Sequence, residues 1–222
     1  PRLNILFGRN ASGKTSVLQS LNLLGILAAH DQVLGAPPRP ITVQPAEVPD
    51  GYRLDHANGP AHDFWIDFRR ACRAVNPDCW IFGEIIHSAE TQLTYAGRLD
   101  GTLDFLLARA LRDTFAQNQW NLAEFEAFLS AHEAYFPEDF SRPAFLDNHD
   151  MNRFLFLSDG NTAKLKLAAL VMFTLAAPPI VYYGTEVGVT QERPIHQGEH
   201  GIFEEARQPM KWGGDQDTAL HD

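Results

Sequence analysis

The chain has 222 residues, 45% of them apolar, and a formal net charge of −10 at pH 7. That length suits one large or two small domains with a real core. The acidic balance argues against nucleic acid or an anionic membrane as partner. The two cysteines, Cys72 and Cys79, form no C-x-x-C pair, so neither a disulfide scaffold nor a zinc site follows. No run of about 18 apolar residues is present, so no membrane-spanning helix is expected. The first residues show no basic-then-apolar signal pattern. Together these features lead to the expectation of a soluble cytoplasmic protein.

Leu3 to Phe7 is an apolar run of strand length. It leads into Gly8-Arg9-Asn10-Ala11-Ser12-Gly13-Lys14-Thr15, which fits G-x-x-x-x-G-K-[ST] in full. From Lys14 the chain reads as a helix with Val17, Leu18, Leu21 and Leu24 on one face. The physics of such a loop is plain. Gly8 and Gly13 let backbone amides curl round a phosphate, Lys14 reaches the outer phosphates, and Thr15 binds Mg²⁺. The stretch resembles the start of ATPases of the ABC and structural-maintenance kind, which implies Mg-ATP as a ligand. A glycine-rich turn between any strand and helix is the plainer alternative, and no second acidic strand end follows in this section. Five prolines between Pro37 and Pro49 then mark a linker.

From Asp50 the texture changes. Tyr52 to Leu54 is a short strand that ends at Asp55. His62 to Val75 is an amphipathic helix with Phe64, Trp65, Phe68 and Cys72 at helical spacing. Cys79 to Phe82 is a strand that ends at Gly83-Glu84. Ala89 to Tyr95 reads as a short helix, and Leu99 to Phe105 as a weak strand and loop. Helices follow at Leu106 to Ala116 and Leu122 to His132. Ala144 to Asp147 is a strand leading to Asn148-His149-Asp150. Ala163 to Leu175 is a strongly apolar helix, and Pro179 to Tyr183 is a strand closed by Gly184-Thr185-Glu186. Short apolar strands alternating with helices are the pattern of a parallel sheet or barrel. In a (β/α) barrel, acids at the C-terminal ends of strands carry the chemistry. Taken singly, Asp55 and Asp150 read equally well as helix caps, Arg53 as an ion-pair partner and His149 as a hydrogen-bonded core residue.

Four motifs in order carry a resemblance. Gly51-Tyr52-Arg53-Leu54-Asp55, Phe82-Gly83-Glu84-Ile85, Phe145-Leu146-Asp147-Asn148-His149-Asp150 and Pro179 to Gly188 resemble the ends of barrel strands four, five, seven and eight of glycoside hydrolase family 13, the α-amylase family. The likeness is to its neopullulanase, cyclomaltodextrinase and maltogenic-amylase members. It implies a retaining glycosidase or transglycosylase acting on α-linked glucans or maltooligosaccharides. Asp55 would be the nucleophile, Glu84 the general acid and base, and Asp150 the holder of sugar hydroxyls. Arg53, His149 and His87 would line the sugar site, and no metal or other cofactor is implied for hydrolysis. Arg153 is not part of that likeness; its position three residues after Asp150 makes it a candidate to help a sugar subsite. Two carboxyl groups about 5–5.5 Å apart, one ionised and one protonated, are what such an enzyme needs.

The resemblance covers only strands four to eight of an eight-stranded barrel. The expected architecture is α/β: an incomplete (β/α)8 TIM barrel over residues 48–222, preceded by a phosphate-loop-like β–α segment and linker over residues 1–47. Open sheet edges suggest a homo-oligomer or a borrowed strand. The alternative function is an ATP-binding fragment fused to a non-functional barrel piece.

Overall fold

The structure is a computed structural model, and it describes residues 50–196 and 201–210. The phosphate-loop reading of Gly8, Gly13, Lys14 and Thr15 lies outside the described residues. The chain divides into two compact units. The described part of the first is 50–86 with 90–102, and that of the second is 87–89, 103–196 and 201–210.

The first unit contains β1 (Gly51–Leu54), α1 (His62–Val75), β2 (Trp80–Gly83), all but the first residue of α2 (Ala89–Leu93), and β3 (Gly101–Thr102). The strands form one parallel sheet in the order β1-β2-β3. The parallel pairing needs a crossover, and α1 supplies it. Trp65, Phe68 and Cys72 are the buried stripe of α1, three and four residues apart. Trp65 Nε1 donates to the Ala57 carbonyl at 2.8 Å, so the indole also anchors the loop after β1. Asp100 ties helix to sheet. Its Oδ1 accepts from Arg69 Nε at 2.9 Å and from Arg73 Nη2 at 2.6 Å, while Oδ2 accepts from the Ile81 amide at 2.9 Å. Cys72 and Cys79 are free thiols, both buried. Burial pushes the Cys72 thiol up to about 12, so the pair packs as small apolar groups.

The second unit contains α3 (Phe105–Leu111), a π turn (Arg112–Ala116), α4 (Leu122–Tyr135), β4 (Ala144–Phe145), α5 (Phe154–Leu157), α6 (Thr162–Thr174), β5 (Pro179–Ile180) and two short 3₁₀ turns, Thr185–Val187 and Phe203–Arg207. β4 and β5 pair in parallel, Ala144 against Pro179. Asp104 caps α3 by accepting from the Leu107 amide at 2.9 Å. Asn121 and Glu124 cap α4 reciprocally, which satisfies two otherwise orphan amides. Leu111, Phe115, Phe125, Leu146, Phe154 and Met172 form the centre of the core. The continuous helix expected from Leu106 to Ala116 is therefore two pieces. The Gln117 amide reaches the Arg112 carbonyl at 3.0 Å, a five-residue step that a period of 3.6 does not foresee.

Candidate active site

In the first unit, register brings the acids together. Leu54 of β1 lies opposite Gly83 of β2. Asp55 and Glu84 are each the next residue, leaving the same end of two neighbouring strands. Strands in a sheet lie about 4.8 Å apart, so the two carboxyls are neighbours by construction. Backbone bonds fix the junction: the Glu84 amide donates to the Leu54 carbonyl at 2.8 Å and the Ala57 amide to the Glu84 carbonyl at 3.1 Å. Gly83 allows this closeness. A Cβ there would stand 2.8 Å from the Ala57 Cβ and 2.8 Å from a Leu99 methyl.

Arg53, on β1, bridges both acids. One end of its guanidinium pairs with Asp55, and Nη2 lies 2.9 Å from Glu84 Oε2. The environments of the two acids differ sharply: the Asp55 side chain is 46% exposed and that of Glu84 is 7% exposed. Burial pushes the Glu84 carboxyl above its ordinary range, helped by the Asp55 charge, against the opposing pull of Arg53 and the His56 amide. Glu84 Oε1 is buried and has no hydrogen-bond partner among the described residues, which suits a carboxyl that keeps its proton. His56 takes a left-handed φ of +46°, a conformation uncommon for a residue with a side chain, at the point where β1 turns away behind Asp55.

In the second unit, Asp150 follows β4 in a loop. His149 Nε2 lies 3.0 Å from Asp150 Oδ2, and Arg207 Nη2 lies 2.7 Å from Oδ1. Arg207 Nε also donates to the His149 carbonyl at 3.0 Å. The His149 hydrogen bond, with Arg207 in support, holds the Asp150 carboxyl below its usual range despite partial burial. Asn148 Oδ1 accepts from the Asp150 amide at 2.9 Å and shapes the turn.

Of the remaining expected site residues, one is exposed and one is fully buried. His87 is exposed on the segment after β2. Arg153 is 0% exposed. Its Nε donates to the Ala206 carbonyl at 3.0 Å, its Nη1 donates to the Tyr183 carbonyl at 2.8 Å, and the guanidinium stacks 4.0 Å from the Tyr182 ring centroid. It is turned inward, stitching the loop after β5 to the 3₁₀ turn at Phe203–Arg207. Arg207 carried no signal in the sequence, and only its contact with Asp150 reveals it. Among the described residues no cluster of three metal-ligating side chains occurs, and no helix is long and apolar enough to cross a membrane.

A buried acid raised in pKa, an exposed acid beside it and an arginine joining them, all at the ends of parallel strands, define a carboxylate-pair site of the kind glycosidases use. The comparisons with known proteins agree. The model of the alpha-amylase catalytic domain matches residues 38–220, and the chain belongs to the alpha-amylase family. Alpha-amylase 2 of Dictyoglomus thermophilum is 39% identical over 173 residues, covering 78% of this chain and 31% of that protein. Neopullulanase 2 of Thermoactinomyces vulgaris is 34% identical over 165 residues, covering 73% of this chain and 26% of that protein. A solved cyclomaltodextrinase superposes with a TM-score of 0.68 at 32% identity, covering 77% of this chain and 28% of that one. The chain thus spans less than a third of the length of these curated relatives.

Proposed function

We propose that this chain carries the acid pair of a retaining α-glucan hydrolase or transglycosylase that acts on maltooligosaccharides. The carrying observation is the Arg53 bridge between an exposed Asp55 and a buried Glu84 of raised pKa. In the first step an Asp55 oxygen bonds to the anomeric carbon while the glycosidic bond breaks. Glu84 gives its proton to the leaving oxygen. In the second step the now ionised Glu84 takes a proton from water, or from an acceptor sugar hydroxyl. That oxygen displaces Asp55, and both carboxyls return to their starting state. Arg53 supports the carboxylate form of Asp55 as it leaves. Asp150, kept ionised by His149 and Arg207, accepts hydrogen bonds from sugar hydroxyls. Neither step requires a metal.

The test is release of reducing sugar from maltooligosaccharides and soluble starch by the purified chain, with Asp55→Asn as control. Release that disappears in the control supports the reading. No release from a folded sample, together with no glycosyl adduct on Asp55 by mass spectrometry with a fluorinated glucoside, overturns it for this chain.

A second reading has one observation in its favour, the complete G-x-x-x-x-G-K-[ST] match from Gly8 to Thr15. On that reading the first section binds Mg-ATP. Labelled ATP retained by the chain and lost in Lys14→Ala would support it, and no retention would end it.

A further inference from the structure

Arg112 opens the π turn and is 7% exposed, in a position that the glycosidase chemistry does not use. Its Nη1 donates to the Leu146 carbonyl at 2.9 Å and to the Asn152 carbonyl at 2.8 Å. Those carbonyls stand on either side of the loop that carries His149 and Asp150. A single guanidinium nitrogen therefore closes the loop at its base. The same nitrogen lies 3.6 Å from Asp147 Oδ1. Asp147 in turn accepts from the Phe154 amide at 2.5 Å and from the Thr185 hydroxyl at 3.0 Å.

We propose that Arg112 is a positioning residue for the Asn148-His149-Asp150 loop, pinning both ends so that His149 and Asp150 are presented in one fixed arrangement. The distances favour this over a simple buried ion pair, because the two carbonyl contacts are shorter than the contact to Asp147. The residue type fits as well. A guanidinium spreads its donors over a rigid plane and stays charged when buried, whereas an ammonium is a compact point charge that loses its proton more readily. Burial pulls the Arg112 pKa down, and Asp147 and Asp113 offset that only in part. Pinning the ends also removes conformational freedom from the loop before a sugar arrives, which is where orientation contributes to rate. The functional meaning of the pin rests on the reading of Asp150 as a sugar-binding acid, but its structural test does not.

The test compares the unaltered chain with Arg112→Lys, using Arg109→Lys as control on an exposed neighbour. Nuclear magnetic resonance follows the titration of the Asp150 carboxyl and the hydrogen exchange of the Asp150 and Arg153 amides. In folded Arg112→Lys the Asp150 midpoint should rise toward the ordinary aspartate range, as His149 and Arg207 lose their fixed target. Both amides should exchange about tenfold faster or more, with Arg109→Lys unchanged. A folded Arg112→Lys with the Asp150 midpoint and both exchange rates unaltered overturns the proposal. Where Arg112→Lys does not fold, the unaltered chain decides. The Arg112 Nη protons should exchange together with those two amides, and loop amides that exchange while the Arg112 protons stay protected overturn it. No sugar release enters either measurement, so a failure of the glycosidase reading stays separate from a failure of this one.

Discussion

Each unit sets an arginine on an acid, and the outcomes are opposite. In the first, Arg53 lies 2.9 Å from Glu84, yet the carboxyl rises above its ordinary range. In the second, Arg207 lies 2.7 Å from Asp150 and His149 adds a hydrogen bond, and the carboxyl falls below its range. The ion-pair distances are nearly equal, so distance does not decide. Burial does: Glu84 is almost wholly removed from water and shares its arginine with Asp55, whereas Asp150 is more than a third exposed and has two partners. A carboxyl that holds its proton more tightly and one that gives it up more readily are thus made from similar parts by changing how much water reaches them.

The largest expected effect breaks that contrast at its buried end. Glu84→Gln should lower turnover on maltooligosaccharides by on the order of 10²–10⁴-fold, read as reducing sugar. The same variant should gain stability at neutral pH. A carboxyl whose folded pKa exceeds its unfolded one destabilises the fold progressively as pH rises from the ordinary glutamate value to the raised one. Melting temperatures of Glu84→Gln and the unaltered chain should therefore diverge in favour of the variant between pH 4 and pH 8, and parallel curves would refute the burial argument.

Arg153→Met comes next. It strips donors from the buried carbonyl of Ala206 and the part-buried carbonyl of Tyr183. Urea denaturation should show a loss of about 2–4 kcal/mol. A loss near zero would return Arg153 to the sugar site where its position three residues after Asp150 had placed it. Gly83→Ala should cost about 1–3 kcal/mol by overpacking against Ala57 and Leu99, and should move the titration of Glu84 because it disturbs the strand end that buries it.

The smallest effect is at the half-buried acid of the second unit, Asp150. Arg207→Leu should raise the Asp150 pKa toward its ordinary value. A depressed carboxyl lends stability above its unfolded pKa and loses it as pH falls through the folded one. The variant should therefore be slightly less stable than the unaltered chain near pH 6, and the gap should close under strong acid. A gap that persists at pH 2 would mean that Arg207 acts by packing on Phe203 and not by charge.

The sequence showed some of this plainly and hid the rest. β1 and β2 were legible because each is a short apolar run ending in an acid, and parallel pairing then leaves Asp55 and Glu84 side by side. Helix α1 was legible from Trp65, Phe68 and Cys72. Strands β4 and β5 came out shorter than their apolar runs, because Leu146 and Val181 extend the hydrophobic pattern past the last ladder pair. Arg207 was hidden because its contact with Asp150 spans 57 positions and the tail around it has no period. Arg153 was misleading because sequence nearness says nothing about side-chain direction, and here the direction is inward. Arg112 was hidden inside what reads as an ordinary helix.

The π turn at Arg112–Ala116 makes the chain unequally sensitive to one kind of genetic change. A π turn holds one residue more than the α turn it replaces, and all five side chains of this one are buried. Deleting one residue here would leave a regular α turn, and the helix on either side would keep its phase, because the π turn and the shorter α turn each complete about one rotation. The change would fall on the turn itself, which would hold one buried side chain fewer. Where the residue lost is Arg112, no guanidinium reaches the carbonyls of Leu146 and Asn152. A one-codon deletion would therefore spare the helix as a whole and, at that one position, release the Asp150 loop from it.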